Sequence, residues 1–284
     1  MSADGSSTAS VEKAVPPAKA VPPAKAVLPA NIGRLQPLAM KLVRPIFHRL
    51  WDIEVEGAEH LPSAGPAILC PNHVSVIDSF MLPAVLPRSL TYVGKAEYLD
   101  DWKTARLFPA LGMIPIDRRG GDHAKAALGA AKAVLDNGGW FGIYPEGTRS
   151  RSGKLHKGHT GAARLAIETG APIYPVGLVG TREIQPPGMS RPNLFRKATI
   201  RIGAPITVEG ARLGDRVAYR RIIDQVMFEI QALCGQDYVN TYAGAVSDVD
   251  PDGPAPTASA VAATIPRRSS ASVLIPRPMV VAGS

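Results

Sequence analysis

Residues 67–78 read AILCPNHVSVID and combine a short apolar run with a polar turn. The four apolar residues before Pro71 favour a buried strand. The polar residues Asn72, His73 and Asp78 follow at the point where that strand ends. In an α/β sheet, such a junction lies at the carboxyl edge, where sites commonly form. The stretch therefore predicts a strand of an α/β domain with a histidine and a carboxylate beyond its end.

Strand-like and helix-like patterns alternate along the rest of the chain. Short apolar runs that predict buried strands occupy residues 67–70, 90–93, 113–116, 140–144, 173–179 and 198–202. Helical periodicity with matching start and stop residues covers residues 122–137, 161–169 and 217–233. Strands that alternate with helices predict one α/β domain, a single mixed sheet flanked by helices, over residues 57–242.

The two ends of the chain have low-complexity composition. Residues 13–30 repeat a six-residue unit, KAVPPA twice and then KAVLPA. Proline at this density favours an extended spacer, and a lysine-bearing tether to lipid or a partner is the alternative. The C-terminal stretch is rich in Ala, Ser and Pro and has no sustained periodicity. We expect residues 1–30 and 243–284 to be disordered tails.

Residues 31–56, between the first tail and the domain, carry an amphipathic helical pattern. Apolar residues recur at helical spacing, at Leu35, Leu38, Leu42, Ile46 and Leu50. Basic residues lie between them, at Arg34, Lys41, Arg44 and Arg49. The pattern is typical of a membrane-surface helix and also of a helix packed on its own domain. Both can hold if one face docks and the other meets lipid, and Pro45 should kink or divide the helix.

Composition narrows the classes of partner. The formal net charge of +8 suggests an anionic membrane surface or a phosphorylated substrate. Nucleic acid ranks lowest, because no basic run is interleaved with aromatic residues. The N-terminal residues do not read as a secretory signal, and no apolar run reaches the ~18 residues of a membrane span. We therefore expect peripheral association at the cytoplasmic face of a membrane.

The two cysteines, Cys70 and Cys234, match no metal or redox spacing. Cys70 lies in an apolar run and should be a buried small hydrophobe in a reducing compartment.

The His73–Asp78 spacing permits a catalytic pair without requiring one. Five residues turn by ~500° on a regular helix, so the two side chains would not share a helical face. They can meet if His73 precedes a helix and Asp78 points back from its second turn. The carboxylate would then orient one imidazole nitrogen, and the other could take a proton from a hydroxyl. The structural alternative is that His73 caps the helix while Asp78 satisfies its backbone.

A second polar stretch, YPEGTRS at residues 144–150, follows another predicted strand. Its glycine permits a tight turn, and Thr148, Arg149 and Ser150 offer donors to an oxyanion. Arginine suits phosphate better than lysine does, because its planar guanidinium can donate two parallel bonds. The competing interpretation is a solvated basic loop.

Two shorter stretches complete the pattern. Residues 111–118, LGMIPIDR, end a predicted strand in the acid-base pair Asp117-Arg118, which could be no more than an exposed ion pair. Residues 171–176, APIYPV, form an apolar strand interrupted by prolines. Proline favours an edge strand or a site wall, and either could flank an acyl chain.

These four stretches, in this order, resemble the glycerolipid acyltransferase family, in particular the 1-acylglycerol-3-phosphate acyltransferases. The family's first block, Asn-His-x-x-x-x-Asp, is matched by Asn72, His73 and Asp78, and its second, Ile-Asp-Arg, by residues 116–118. Its third, Phe-Pro-Glu-Gly-Thr-Arg-Ser, is matched by residues 144–150 with Tyr144 in place of Phe. Its fourth contains Pro-Val, matched at residues 175–176. The similarity covers residues 38–203.

The resemblance implies a role for each matched residue. His73 and Asp78 would be the catalytic pair, and Asn72 would contact the substrate. The family assigns the acceptor's phosphate to residues matched here by Arg118, Glu146, Gly147, Thr148 and Arg149. The segment at Pro175 would line an apolar wall. Where many relatives have Phe-Lys after the third block, this chain has residues 153–158, GKLHKG, which puts a specific contact by His156 or Lys157 in doubt.

The implied reaction is acyl transfer from acyl-CoA or acyl carrier protein to a lysophospholipid, with no metal or redox cofactor. Glycerol 3-phosphate or another lysolipid remains an alternative acceptor. A hydrolase with Ser75 or Ser79 as nucleophile is a competitor, disfavoured because no Gly-x-Ser-x-Gly elbow is present. A non-catalytic membrane-binding protein on the same fold is another.

Overall fold

The computed structural model describes residues 35–95, 108–109, 112–116 and 123–244. The predicted tails, apart from residues 243–244, lie outside these residues. The predicted acid-base pair Asp117-Arg118 also lies outside them.

Helices in the described residues are α1 (Gln36–Leu50), α2 (Asp78–Val85), α3 (His123–Asp136), α4 (Gly161–Thr169), α5 (Thr181–Ile184) and α6 (Arg216–Cys234). The ends of α6 show why such a stretch becomes helical. The side chain of Asp215 accepts the free backbone N–H groups of Val217 and Ala218, each at 3.0 Å. Gly235 then ends the helix in the left-handed conformation, φ 72°.

The strands are β1 (Asp52–Glu56), β2 (Ala67–Pro71), β3 (Leu90–Lys95), β4 (Met113–Ile116), β5 (Trp140–Gly142), β6 (Leu155–His156), β7 (Ile173–Val179), β8 (Lys197–Ile202) and β9 (Tyr238–Val239). Within the described residues, seven of them form one sheet in the order β1-β8-β7-β2-β5-β3-β4. Among these seven strands, β7 and β8 pair in antiparallel and the other neighbours in parallel, so the sheet is mixed. The short strands β6 and β9 pair separately and in parallel. The predicted mixed-sheet α/β fold is confirmed.

The sheet is covered on both faces, because alternate residues of each strand point to opposite sides. On β2, Ile68 and Cys70 join the cluster under α3, α4 and α6. Ala67 and Leu69 join the other cluster, under α1, α2 and α5. Burial of Cys70 in an apolar cluster raises the pKa of its thiol, as expected of a packing residue.

Strand direction determines which loops meet. β2, β3, β4, β5 and β7 run in parallel, so the loops after them share one carboxyl edge. β8 runs the opposite way and begins at that same edge, beside the start of β1. The end of α1 and the loop before β8 therefore lie at the edge that carries His73.

Helix α1 confirms the amphipathic prediction, and of the two effects predicted for Pro45 the division of the helix is wrong. It docks through Gln36, whose amide donates to Leu90 O at 3.0 Å, and through Arg44, which donates to the carbonyls at the end of α2. Pro45 lies inside the helix without dividing it. The exposed side carries Leu35, Leu38, Leu42 and Ile46. One face thus docks while the other remains apolar and open.

The expectation that prolines place β7 at an edge is wrong. The strand lies between β2 and β8, in the interior of the sheet. Pro175 is tolerated there because the β7–β8 ladder begins only at the next residue, Val176, which pairs with Ile202. Its carbonyl still accepts from Gly203 N at 2.9 Å.

Candidate active site

His73 and Asp78 form a hydrogen-bonded pair just beyond β2. Oδ2 of Asp78 lies 2.9 Å from Nδ1 of His73. The same oxygen accepts the backbone N–H groups of Val74 and Ser75, at 2.9 and 2.8 Å. Asp78 is the first residue of α2 and not, as predicted, part of a second turn. It therefore satisfies the turn's backbone and orients the imidazole at once.

These bonds assign the tautomer of His73. Because Oδ2 of Asp78 already accepts two backbone N–H groups, Nδ1 of His73 must donate the third bond. Nε2 then carries a lone pair, and none of the described residues hydrogen-bonds to it. The other carboxylate oxygen, Oδ1, is buried with no hydrogen-bond partner among the described atoms. The carboxylate thus orients the ring so that Nε2 can accept a proton, as a general base must.

Tyr144 supports the imidazole from its face. The ring centroids of Tyr144 and His73 lie 3.8 Å apart, with 17° between the planes. The Tyr144 hydroxyl finds a partner in Oγ of Ser79, at 3.2 Å. Burial, with Asp78 as a further contributor, raises the pKa of Tyr144 well above its ordinary value. The hydroxyl therefore stays neutral, and the stack fixes the plane of the base.

Glu146 ties the two predicted polar loops together. Its Oε1 accepts the backbone N–H of His73 at 3.0 Å, and its Oε2 accepts that of His156 at 2.9 Å. The Ser150 N–H in turn donates to the His73 carbonyl at 2.7 Å. Glu146 is buried and does not line the described cavity. Its position supports a scaffolding role in place of the predicted contact with substrate.

Gly147, Thr148 and Arg149 are exposed and face the same space as His73. Gly147 closes a tight turn on Tyr144 O at 3.0 Å with φ 76°, a conformation that favours glycine. A side chain at Gly147 would also come within 3.0 Å of the His159 ring. Arg149 has no hydrogen-bond or ion-pair partner among the described residues. This loop therefore offers a free guanidinium beside the candidate base.

A cavity of about 220 Å³ opens between these groups. Its polar end is formed by His73 and the Gly147–Arg149 loop. Its other walls are mainly apolar and come from Val76, Phe80, Tyr92, Val93, Phe108 and Met113. The described lining comes from the α2, β3 and β4 side and does not include Pro175, whose role as an apolar wall stays a prediction. The site thus combines an imidazole, a guanidinium and an apolar recess.

Asn72 holds strands in place and does not reach the cavity. Its Oδ1 accepts from Leu178 N at 2.7 Å, and its Nδ2 donates to Leu178 O at 3.0 Å. The same Nδ2 donates to Oε1 of Gln236 at 2.7 Å. The structure brings together His73, Gly147, Thr148 and Arg149 around the cavity, with Asp78, Asn72 and Glu146 buried beneath them. Arg118 lies outside the described residues.

A serine hydrolase is poorly served by this geometry. Ser75 is buried, and its hydroxyl donates to Gln185 O at 2.8 Å. Ser79 faces the cavity, but its described hydrogen bond goes to Tyr144 and not to His73. Neither serine is paired with the base.

The segment after α6 completes the site, and no sequence motif marked it. Nε2 of Gln236 donates to Gly153 O at 2.6 Å, and β9 pairs with β6. Tyr242 stacks on His159, with centroids 4.5 Å apart. Residues 236–242, which we call the C-terminal clamp, therefore hold residues 153–159 in place. The pattern at residues 236–242 is polar and short, so only its contacts reveal it.

Comparison with known proteins agrees with this geometry. The sequence model of the Acyltransferase family matches residues 52–179, which span β1 to β7 and contain the His73–Asp78 pair. Over these residues the chain is similar to the acyltransferase family. The crystal structure of the 1-acyl-sn-glycerophosphate acyltransferase PlsC from Thermotoga maritima is similar, with a TM-score of 0.55 at 23% identity, over 70% of this chain and 81% of that one. That similarity supports the fold.

Curated relatives give the same family. A chloroplastic 1-acyl-sn-glycerol-3-phosphate acyltransferase of Arabidopsis thaliana is 31% identical over 49% of this chain and 39% of its own length. The 1-acyl-sn-glycerol-3-phosphate acyltransferase alpha of Mus musculus is 27% identical over 63% and 64%. The chain thus spans less than two thirds of the length of either of these acyltransferases.

Proposed function

We propose that this chain transfers a fatty acyl group from a thioester to the free hydroxyl of 1-acylglycerol 3-phosphate, which gives phosphatidate. The observation that carries the proposal is the single cavity of about 220 Å³ shared by His73, Arg149 and an apolar wall. A base, a cation and an apolar recess are what a hydroxyl, a phosphate and an acyl chain require. The names of the relatives supply the particular lysolipid.

The chemical step needs only His73 as a proton carrier. Nε2 takes the proton of the acceptor hydroxyl as its oxygen bonds to the thioester carbonyl carbon. The tetrahedral intermediate then collapses, the carbon–sulfur bond breaks, and the imidazolium returns the proton to the leaving thiolate. Asp78 stabilises the imidazolium, and general-base catalysis of this kind contributes roughly 10²–10⁴-fold. The products are an ester and a free thiol.

The oxyanion requires donors that are not already engaged. The backbone N–H groups of His73, Val74 and Ser75 are bonded to Glu146 or Asp78. Those of Thr148 and Arg149 have no partner among the described residues. We therefore assign the developing negative charge to the Thr148–Arg149 side of the cavity.

The phosphate of the acceptor is assigned to the same loop. Arg149 offers a planar guanidinium and Thr148 a hydroxyl, both exposed at the polar end of the cavity. Arg118 belongs to this set through the family pattern. Glu146 would act from beneath, by holding the loop, because its oxygens are engaged with backbone N–H groups. The donor would be acyl-CoA or acyl carrier protein, and the reaction as written needs no metal or redox cofactor.

The protein would act at a membrane surface, peripherally and on the cytoplasmic face. No helix among the described residues combines the length and apolar character needed to cross a bilayer. The outer side of α1 nevertheless exposes Leu35, Leu38, Leu42 and Ile46. Replacing Leu38 and Leu42 together by Ser should weaken sedimentation with anionic vesicles, and unchanged sedimentation would remove α1 from the contact. Protease protection in inverted membrane vesicles would test the face.

The test of the proposal is an acceptor panel with one long-chain acyl-coenzyme A. We expect acyl transfer to lysophosphatidate and much slower transfer to lysophosphatidylcholine, whose headgroup has no phosphomonoester for Arg149. Preference for glycerol 3-phosphate would assign a different acceptor. Thioester hydrolysis that does not depend on any acceptor would contradict transferase chemistry, and binding without turnover would indicate a non-catalytic protein.

A further inference from the structure

The loop between α5 and β8, residues 185–196, exposes apolar side chains that the proposed chemistry does not use. Phe195 is 78% exposed, the neighbouring Leu194 is exposed, and so is Met189 six residues earlier. Large apolar side chains exposed together on one connection favour a contact with lipid or protein. We refer to Met189, Leu194 and Phe195 as the apolar tip.

The backbone around the apolar tip is firmly held. Phe195 N donates to Leu50 O at 2.7 Å, and Nε1 of Trp51 donates to Asn193 O at the same distance. Asn193 N donates to Ile184 O at 2.6 Å, and Nε2 of Gln185 donates to Met189 O at 3.1 Å. The tip is therefore presented on a fixed frame that joins α1 to β8.

Phe195 adopts a conformation that its type disfavours. Its φ is 56°, and among the described residues it is the non-glycine residue with positive φ. A bulky aromatic residue in the left-handed region is strained, and such strain persists where the surroundings impose it. Here the bonds to Leu50 and Trp51 fix the backbone while the ring points into solvent. The fold thus holds an aromatic ring outward at a cost in strain.

The apolar tip lies at the carboxyl edge of the sheet, which also carries His73. The Ser75 hydroxyl, two residues from His73, donates to Gln185 O at 2.8 Å at the start of this loop. The other end of the loop bonds to the last turn of α1, next to the helix face that exposes Leu42 and Ile46. The apolar tip therefore lies between the base and α1, along one edge of the sheet.

The charges around the tip favour an anionic surface. Arg191 and Arg196 are exposed, and their guanidinium groups have no hydrogen-bond or ion-pair partner among the described residues. Lys197 is already paired with Glu54 at 2.8 Å, and Glu183 is the exposed acid on the adjoining helix. Two free guanidinium groups beside three apolar side chains match the headgroup and acyl boundary of an anionic bilayer.

We propose that the apolar tip inserts into the interface of an anionic membrane and, together with α1, turns the carboxyl edge toward the lipid. This inference deepens the proposed function, on which it rests, by adding a second lipid contact close to the site. Two contacts along one edge would fix an orientation, whereas α1 alone would leave the molecule free to rotate about the helix axis. Lipid substrates could then reach His73 from the bilayer.

The experiment is vesicle binding by the full chain, with vesicles of phosphatidylcholine alone and of phosphatidylcholine mixed with phosphatidylglycerol. The test variant is Leu194→Ser with Phe195→Ser. The matched control is Phe228→Ser, which removes a phenyl ring that is 67% exposed on α6, across the sheet. Burial of two such side chains predicts a loss of affinity of about 10–100-fold for the test variant on mixed vesicles. The control should bind like the unmodified chain.

Equal binding by the test variant and the unmodified chain would overturn the proposal, as would an equal loss in the control. A second variant, Phe195→Asn, guards against misfolding, because asparagine tolerates positive φ; it should keep the thermal midpoint and still bind vesicles more weakly. If light scattering shows that the test variant loses a dimer while vesicle binding stays unchanged, the tip is a self-association surface and the proposal fails. Vesicle binding does not require turnover, so the binding result can be interpreted even if the chain shows no acyl transfer.

Discussion

At the residue scale, the main feature is that most polar groups of the turn around His73 already have a hydrogen-bond partner. The backbone N–H groups of residues 73–75 are bonded to carboxylates, and Nδ1 of His73 is bonded to Asp78. Of these groups on the turn, Nε2 of His73 is left without a partner among the described residues, and His73 faces the cavity. The spacing of His73 and Asp78 predicted that they could meet. It could not predict that one carboxylate oxygen would accept three N–H donors, because that depends on the turn between them.

Arg149→Ala tests the assignment of the phosphate. We expect the KM for lysophosphatidate to rise about tenfold or more, since a hydrogen bond to a charged group contributes roughly 1.5–3 kcal/mol. The KM for acyl-coenzyme A should change little. The side chain is exposed, so the thermal midpoint should stay within the small range of surface substitutions. Steady-state kinetics with each substrate varied in turn decide the matter, and equal rises in both KM values would contradict the assignment.

At the scale of elements, apolar runs predicted most strands. The polar residues that follow two of those runs predicted the two loops of the site. The runs at residues 113–116 and 173–179 became β4 and β7 with the predicted bounds. Strand β1 was missed because Asp52–Glu56, DIEVE, is mostly exposed at the sheet's edge and carries three acids. The prediction that β7 is an edge strand was wrong. The preference of proline for edge strands takes no account of the residue at which hydrogen-bonded pairing with the next strand begins. Local pattern identifies elements, and long-range pairing decides their neighbours.

Glu146→Ala tests whether the two polar loops depend on one buried carboxylate. The change leaves the N–H groups of His73 and His156 without an acceptor, at a cost of about 1–3 kcal/mol for each orphaned donor. We expect a lower free energy of unfolding in urea together with a fall in kcat, because the loop that carries His73 loses its support. Arg149→Ala is the matched control, because it alters the same loop without orphaning a buried group. Full stability in Glu146→Ala would refute the scaffolding role.

At the scale of the whole molecule, the site is assembled by segments distant in sequence. Residues 236–242 contact residues 153–159 through Gln236, β9 and Tyr242. The sequence predicted an α/β domain and the polar residues at the carboxyl edge of its sheet. It could not indicate this C-terminal clamp, because paired strands of two residues carry no periodicity. Nor could it place Asn72 and Glu146 beneath the cavity, since burial of a polar side chain depends on the assembled loops.

His159, stacked on Tyr242, predicts a pH dependence of this clamp. Burial, and secondarily the nearby Arg220, lowers the pKa of His159 below its ordinary value of 6.5. The unfolded chain then binds a proton more readily than the folded one, so stability is present above about pH 6.5 and falls as the pH drops through the folded pKa. Thermal midpoints measured across this range should decline less steeply for His159→Phe, which keeps an aromatic stack. Identical slopes would show that His159 does not titrate as inferred.

The central claim is that His73 is the base of an acyl transfer, and one substitution tests it most directly. His73→Ala should reduce kcat for acyl transfer to lysophosphatidate by roughly 10²–10⁴-fold. Its thermal midpoint and its vesicle binding should stay close to those of the unmodified chain. His60→Ala is the matched control, because His60 bonds to Ile202 O at 2.8 Å, at the end of β8 away from the catalytic edge. Undiminished acyl transfer by a folded His73→Ala protein would contradict the account.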